Sequence, residues 1–216
     1  METYPFAIGV AGTHGKTTTT SMLSVIMEHA DLDPTILVGG EVDEIGGNVR
    51  TGNSDYFLTE ACEYVESFLK FHPYIALILN IDEDHLDYFR DIDHIYQAFL
   101  KYARLVPPDG YVIGCIDDPL VEKLLNEARR QYVSFAIEKE AHLIAHSISY
   151  DDRGCPTFIP CYRGQDTEPI SLKVPGRHNI YNALAAYATA RILGVDGRTI
   201  AEGLNTYHGT HRRFEI

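Results

Sequence analysis

Short apolar runs alternate with segments of helical periodicity through the first part of the chain. The apolar runs predict buried strands over 6–10, 35–38, 56–59, 75–79 and 111–116. The periodic segments predict helices over about 18–29, 62–71 and 92–105, and a fourth helix with Asp118 as an acidic cap before Pro119. Strands that alternate with helices form a mostly parallel sheet with helices on both faces. The predicted fold class is therefore α/β.

The pattern changes after about residue 142. Short strands are predicted over 142–150, 157–162 and 169–174, with polar, glycine-containing turns between them. We expect them to form a small antiparallel sheet appended to the main sheet and packed on it. An alanine-rich helix to about residue 193 and a short helix over 197–204 complete the pattern.

A glycine-rich turn, Ala11-Gly12-Thr13-His14-Gly15-Lys16-Thr17-Thr18, joins the first predicted strand to the first predicted helix. Its glycines let backbone N–H groups converge on an anion, and the helix N-terminus adds a positive dipole. Lys16 suits the outer phosphates of a nucleotide and the Thr17 hydroxyl suits Mg²⁺. The strand before and the helix after favour a phosphate-binding loop in a P-loop sheet over an ordinary glycine turn.

Polar side chains also follow the ends of two other predicted strands. Glu60 ends one strand, and the acidic segment 80–87, which contains His85, follows the next. Ligands of open parallel sheets bind beyond the carboxyl ends of the strands, so these groups and the glycine-rich turn are predicted to share one site.

Glu60 is predicted to bind a metal ion, which would pair with its carboxylate. The alternative is that the helix dipole alone stabilises this carboxylate. His85 is predicted to bind a second cation, and the alternative is a surface histidine in a solvated acidic loop. Glu63, one helical turn after Glu60, is predicted to be an acid on the surface of a helix.

Two further groups are candidates for nucleotide contacts. The side-chain amide of Asn182 can hydrogen-bond the N6 and N7 edge of adenine. His178 and Asn179 precede it, and each has helix capping as its alternative role. Arg212 and Arg213 suit phosphate oxygens, with a solvated tail as the alternative.

Charge and cysteine content exclude several classes of function. The net charge is −13, from 31 acidic and 18 basic residues, which argues against partners such as nucleic acid and anionic membranes. No apolar run approaches the roughly 20 residues of a membrane helix, and no signal peptide is visible, so a cytoplasmic location is expected. The four cysteines form no Cys-x-x-Cys pair, which favours reduced thiols over a zinc site.

Together these motifs resemble the central ATP-binding domain of the Mur ligases, which join amino acids to peptidoglycan precursors. The matching segments are Ala11–Thr20, Glu60-Ala61-x-Glu63 with Ser67-Phe68, Asn80-Ile81-x-x-Asp84-His85-x-Asp87, Val174-Pro175-Gly176-Arg177-His178-Asn179-x-x-Asn182 and Arg212-Arg213-Phe214.

The resemblance implies ATP and Mg²⁺ as cofactors and Lys16, Glu60 and His85 as the catalytic residues. Lys16 would hold the β- and γ-phosphates, Thr17 and Glu60 one Mg²⁺, and His85 a second. The remaining nucleotide contacts that it implies are Gly12, Thr13, His14, Gly15 and Thr18 in the loop, His178, Asn179 and Asn182 at adenine, and Arg212 and Arg213 at the ribose or phosphates.

The resemblance also implies the reaction of the full-length enzyme. The carboxylate of UDP-N-acetylmuramate would be activated as an acyl phosphate, which the amine of L-alanine then attacks. Residues 1–216 are expected to be the central domain alone, without the N-terminal UDP-binding and C-terminal domains, and inactive as a ligase on their own. The alternatives are a tripeptide-recycling ligase, a folylpolyglutamate synthetase, and a nucleotide-binding module without catalysis.

Overall fold

The computed structural model describes residues 4–42 and 46–209, with only the backbone described for 40–42. The helices are α1 Lys16–His29, α2 Ile92–Arg104, α3 Pro119–Ala128, α4 His178–Ile192 and α5 Gly197–Thr206. The strands are β1 Phe6–Ala11, β2 Thr35–Val42, β3 Gly47–Arg50, β4 Tyr56–Glu60, β5 Ile75–Ile78, β6 Tyr111–Cys115, β7 Gln131–Ala136, β8 Leu143–Tyr150, β9 Pro156–Tyr162, β10 Gln165–Asp166 and β11 Ile170–Ser171.

The described strands form one 11-stranded sheet in the order β10-β9-β8-β7-β6-β5-β1-β4-β2-β3, with β11 paired to β9. Strands β2, β4, β1, β5, β6, β7 and β8 pair in parallel, which confirms the predicted α/β class. The predicted antiparallel strands are present, but they extend the edge of this sheet and do not pack on it as a separate layer. Pairing with β8 satisfies backbone groups that β7 would otherwise leave open at a sheet edge.

Three strands were not anticipated from the sequence. β7 pairs with β6 although it opens with exposed polar and aromatic positions, β3 is a short antiparallel strand beside β2, and the two-residue β10 lies in a predicted turn. None carries a continuous apolar run: β7 is exposed at its first two residues, and β3 and β10 lie at the edges of the sheet.

The helix predicted over 62–71 is wrong. The structure has a 3₁₀ segment, Tyr64–Lys70, interrupted by left-handed backbone at Val65 (φ 53°) and Glu66 (φ 51°). The Ser67 hydroxyl and the Phe68 N–H both bond back to the carbonyl of Cys62, at 2.8 and 3.0 Å. The chain therefore makes a tight turn here, and the orientation of its acidic side chains differs from that of a regular helix.

The alternation of side chains along β1 divides the core into two layers. Ile8 and Val10 belong to the core that the sheet forms with α1, α4 and α5, and Ala7 and Ala11 to the core formed with α2 and α3. α1 is buried from Thr19 to Met27, and the hydroxyls of Thr20 and Ser21 donate to helix carbonyls one turn back. These hydrogen bonds satisfy the buried hydroxyls, so a threonine- and serine-rich helix can lie in the core directly after the glycine-rich turn. Among the described residues, no helix is long and apolar enough to cross a bilayer.

The second core layer contains a buried polar atom, the hydroxyl oxygen of Tyr102. The Tyr102 ring stacks on Phe68 with centroids 4.7 Å apart, and its hydroxyl is buried with no hydrogen-bond partner among the described residues. Burial raises the pKa of Tyr102. The hydroxyl occupies the space beside Gly9, where a Cβ would lie 2.1 Å from it.

We therefore expect Tyr102→Phe to raise the free energy of unfolding by about 1 kcal/mol, since it removes an unsatisfied buried group. Tyr96→Phe is the matched control, because the Tyr96 hydroxyl donates to Glu127 at 3.0 Å and its loss should lower stability. Urea denaturation of both variants measures the difference. A Tyr102→Phe protein less stable than the parent would contradict this account.

Candidate functional site

The glycine-rich loop between β1 and α1 is held against the end of β5. Asn80 accepts a hydrogen bond from the His14 N–H at 2.8 Å and donates to the His14 carbonyl at 3.0 Å. The Thr13 hydroxyl accepts from the Asp82 N–H at 2.9 Å. The segment that follows β5 therefore fixes the backbone of the loop, a role that sequence reasoning did not assign to Asn80.

Gly15 sets the geometry at the start of α1. Its backbone is left-handed (φ 88°), and a Cβ there would lie 2.5 Å from Asn182 Oδ1. The first-turn N–H groups of a helix have no acceptor inside the helix, and its dipole makes this end positive. The loop thus presents Gly12 (φ 142°) and Gly15 where backbone N–H groups can face an anion.

Thr17 and Glu60 meet at the ends of α1 and β4. The Thr17 hydroxyl lies 3.1 Å from Glu60 Oε2, and Glu60 Oε1 accepts from the Gly39 N–H at 2.7 Å. A hydroxyl and a carboxylate oxygen are hard ligands of the kind that Mg²⁺ binds. The donor set at this point fits the predicted magnesium site.

Glu63 is the main correction to the predicted site. It is 2% exposed, not a surface acid, and both of its carboxylate oxygens lie 3.0 Å from Lys16 Nζ. Lys16 also donates to the carbonyls of Gly12 and Thr13. The 3₁₀ segment begins only at Tyr64, so Glu63 precedes it and does not lie on the surface of a regular helix as predicted. The spacing of two glutamates directly after a strand end was the signal that could have indicated this.

His85 lies on the other side of Glu63. Its Nε2 is 3.9 Å from Glu63 Oε1 and its Nδ1 is 3.9 Å from Asp84 Oδ1. One ligand atom from each of these three residues can lie within 4.8 Å of the others, a spacing that can hold a metal ion. Two carboxylates and an imidazole are suitable ligands for a divalent cation.

Tyr64 covers the imidazole of this group. The ring centroids of Tyr64 and His85 are 4.8 Å apart. The Tyr64 hydroxyl donates to Asp87 Oδ2 at 2.9 Å, and this bond raises the pKa of Tyr64. The acidic segment after β5 is therefore tied to the segment after β4 by this bond as well as through Glu63.

A cavity of about 450 Å³ runs from the glycine-rich loop to α4. This volume is within the usual range of small-molecule sites. The apolar part of its wall includes Leu79, Phe135 and Val174. The remaining lining residues include His14, Gly15 and Thr18 from the loop, Cys115, Asp117 and Asp118 after β6, and His178, Asn179, Tyr181 and Asn182 on α4.

The two asparagines of α4 form a chain of hydrogen bonds. Asn182 accepts from the Thr19 hydroxyl at 3.2 Å and donates to Asn179 Oδ1 at 3.0 Å, and Asn179 donates to the Pro175 carbonyl at 2.8 Å. The N-cap of α4 is Arg177, which makes no side-chain capping bond, so neither His178 nor Asn179 caps the helix. Arg212 and Arg213, also predicted to contact the nucleotide, lie outside the described residues.

A parallel sheet with a glycine-rich loop between its central strand and a buried helix defines an α/β domain of the phosphate-loop type. The Mur ligase middle domain model matches residues 10–190. The chain belongs to this family.

Relatives cover the whole chain. It is 52% identical over 216 residues to the UDP-N-acetylmuramate–L-alanine ligase of Caldanaerobacter subterraneus subsp. tengcongensis, and this covers all of the chain and 47% of the relative. It is 53% identical over 217 residues to the protein of that name from Acetivibrio thermocellus, covering all of the chain and 46% of the relative. The chain thus spans about half the length of the curated relatives that it matches.

Solved structures have the same fold. The UDP-N-acetylmuramate-alanine ligase of Thermotoga maritima matches with a TM-score of 0.84 and 33% identity, over 98% of this chain and 47% of that chain. A murein peptide ligase from Psychrobacter arcticus 273-4 matches with a TM-score of 0.84 and 26% identity, over 100% of this chain and 49% of that chain.

The geometry at Gly15 predicts a steep cost for a side chain. Gly15→Ala should lower the free energy of unfolding by about 2 kcal/mol or more, because left-handed strain adds to a clash with a hydrogen-bonded Asn182. Gly164→Ala is the matched control: its φ is 78° but nothing lies within 4 Å of the added Cβ, so strain alone should cost about 1 kcal/mol. Equal losses in urea titrations of the two variants would refute the proposed contact.

Proposed function

We propose that this chain is the ATP-binding central domain of a UDP-N-acetylmuramate–L-alanine ligase, a cytoplasmic enzyme of peptidoglycan precursor synthesis. The observation that carries the proposal is the convergence of Lys16, the Thr17–Glu60 pair and the Glu63–His85 pair at the adjacent ends of β1, β4 and β5. Relatives of that name at 52% and 53% identity support it.

Lys16 would hold the β- and γ-phosphates of ATP. Its ammonium group is at the mouth of the loop, within bonding distance of the Gly12 and Thr13 carbonyls, and therefore beside the N-terminus of α1. The loop residues Gly12, Thr13, His14, Gly15 and Thr18 would surround the phosphates with backbone N–H groups and hydroxyls.

Two cation sites follow from the ligand sets. Thr17 and Glu60 would hold one Mg²⁺, and His85 would hold the second together with Glu63 and Asp84. When bound, the cations would neutralise charge on the phosphate oxygens during phosphoryl transfer. The carboxylate of Glu63 also faces Lys16, so it can orient the ammonium group toward the γ-phosphate.

The base would lie in the cavity against α4, where His178, Asn179 and Asn182 form the polar wall. Asn182 also contacts Thr19 on α1, which links the base end of the cavity to the helix that carries Lys16. We assign Arg212 and Arg213 to the ribose or the phosphates.

In the full-length enzyme, the muramate carboxylate would attack the γ-phosphorus, and ADP would leave with the β–γ bridging oxygen. The amine of L-alanine would then attack the carbonyl carbon of the acyl phosphate. This attack would form the amide bond and displace inorganic phosphate. Positioning and charge stabilisation supply most of the catalysis in such phosphoryl transfers. Recognition of the UDP group and of L-alanine belongs to the rest of the full-length protein, so we propose that this chain alone binds nucleotide without ligation.

The second candidate is the central domain of a tripeptide-recycling ligase. The similarity to the Psychrobacter murein peptide ligase supports this candidate, but its 26% identity is half the 52% identity of the Caldanaerobacter alanine ligase. A nucleotide-binding module without catalysis is less well supported, because a module has little use for the second ligand set at His85.

Lys16→Ala should weaken the binding of ATP by this chain about 10- to 100-fold, since it removes charged hydrogen bonds to the phosphates. Calorimetric titration with ATP and Mg²⁺ measures the ATP affinity of the variant and of the parent chain. Lys139→Ala is the control, because Lys139 makes a comparable ion pair with Glu122 on the surface. Circular dichroism verifies that each variant is folded. Unchanged ATP affinity in folded Lys16→Ala would contradict the proposal.

His85→Ala in the full-length enzyme should leave ATP binding largely intact and lower turnover by about two orders of magnitude or more, because the second cation loses its imidazole ligand. His146→Ala should have no effect, since His146 pairs with Asp166 on the exposed part of β8. Steady-state kinetics with UDP-N-acetylmuramate and L-alanine measures the turnover of both variants. Full turnover by His85→Ala would favour the module without catalysis.

A further inference from the structure

Asp117 follows the end of β6 by two residues and lines the cavity that also contacts the glycine-rich loop. Its Oδ2 accepts three hydrogen bonds, from the N–H groups of Ile137 and Glu138 at 2.7 and 3.0 Å and from the Tyr181 hydroxyl at 3.0 Å. Burial and this bond raise the pKa of Tyr181 to about 12, so the hydroxyl remains a donor. The three donors fix the plane of the carboxylate.

The other carboxylate oxygen, Oδ1, is buried without a hydrogen-bond partner among the described residues. A buried carboxylate oxygen that lacks a donor is unfavourable, and native structures seldom leave one without a reason. Because Asp117 lines the cavity, a donor on a bound molecule can complete this site.

The neighbouring polar groups of the wall are already engaged. Asp118 Oδ1 caps α3, and its Oδ2 accepts from the Ile81 N–H at 2.9 Å. The amides of Asn179 and Asn182 bond to each other. Burial raises the pKa of the Cys115 thiol to about 11, so this thiol stays neutral. Among the described carboxylate and amide oxygens of this wall, Asp117 Oδ1 is therefore the one left without a donor.

The position of Asp117 across the sheet identifies the part of a nucleotide that reaches it. β6 is separated from β1 by β5 alone, and neighbouring strands lie about 4.8 Å apart, so Asp117 is roughly 10 Å from the phosphate-binding strand. The apolar Phe135 on the next strand, β7, lines the same cavity. This is the base end of a bound triphosphate.

We propose that Asp117 selects the base: its Oδ1 accepts a hydrogen bond from the 6-amino group of adenine. A purine with a carbonyl oxygen at that position would place two acceptors against each other, so guanine and hypoxanthine are disfavoured. The inference rests on the proposed nucleotide binding and adds to it the residue that determines specificity for adenine.

The test is Asp117→Asn in this chain, titrated calorimetrically with Mg²⁺ and either ATP, ITP or inorganic tripolyphosphate. The amide oxygen can keep the three donors on Oδ2, and the amide NH₂ then replaces the acceptor Oδ1 with a donor. We expect the ratio of ATP affinity to ITP affinity to fall about tenfold or more, with tripolyphosphate binding unchanged. Asp151→Asn, in an exposed turn, should leave the ratio as it is. An unchanged ratio in folded Asp117→Asn would overturn the inference.

A second measurement needs no variant and applies even if Asp117→Asn fails to fold. The parent chain should bind ITP and purine riboside triphosphate at least about tenfold more weakly than ATP, and should bind 2′-deoxy-ATP nearly as well as ATP. Equal binding of ITP and ATP, or a loss confined to 2′-deoxy-ATP, would overturn the base assignment. If ATP binding requires Lys16 but ATP and ITP bind equally well, only the inference about Asp117 fails. If ATP does not bind, the proposed function fails first.

Discussion

The ion pair between Lys16 and Glu63 joins the parts of this site. A buried carboxylate costs several kcal/mol unless a partner and further hydrogen bonds offset the loss of water. Lys16 provides that partner to both oxygens of Glu63 and also bonds to two loop carbonyls. Glu63 in turn faces His85. One buried charge pair therefore connects the segments after β1, β4 and β5, and loss of either partner would leave the other charge buried.

The order of strands explains why these segments meet. β1 lies between β4 and β5 in the sheet, and all three run parallel, so the segments that follow them leave the sheet at one edge. The hydroxyl–carboxylate pair of Thr17 and Glu60 lies on the β4 side of the loop, and the imidazole group lies toward β5. This arrangement separates two ligand sets around one lysine, which suits a reaction in which the charge of several phosphate oxygens must be stabilised.

The helix α4 connects the wall of the cavity with the glycine-rich loop. Asn182 contacts Thr19 on α1, and its side chain occupies the space that a Cβ at residue 15 would need. It therefore constrains the loop as well as lining the cavity. Sequence reasoning assigned Asn182 to adenine alone, and the same side chain also has a structural role. Asp117, whose Oδ1 has no hydrogen-bond partner in the described part of the chain, lines the same cavity from the segment after β6.

Much of the architecture could be predicted from local patterns. The apolar runs located the central parallel strands, and the rule that ligands bind beyond their carboxyl ends was enough to group the loop, Glu60 and His85 into one site. Local patterns did not reveal β7, whose first two residues are exposed and whose apolar positions are interrupted by Ser134, or the hydrogen bonds by which Asn80 holds the loop. Both depend on neighbours far away in the chain, which periodicity does not encode.

By itself, the sequence determined the α/β class, the glycine-rich loop between the first strand and the first helix, and the family, because these depend on short segments and their order. The tertiary structure alone decided the place of Glu63 in the site and the place of Asp117 on the cavity wall. A 3₁₀ segment that begins at Tyr64 replaces the expected helix, and Glu63, just before it, faces Lys16. Three donors, two from the segment after β7 and one from α4, hold the carboxylate of Asp117. Such contacts form only when segments distant in sequence pack together.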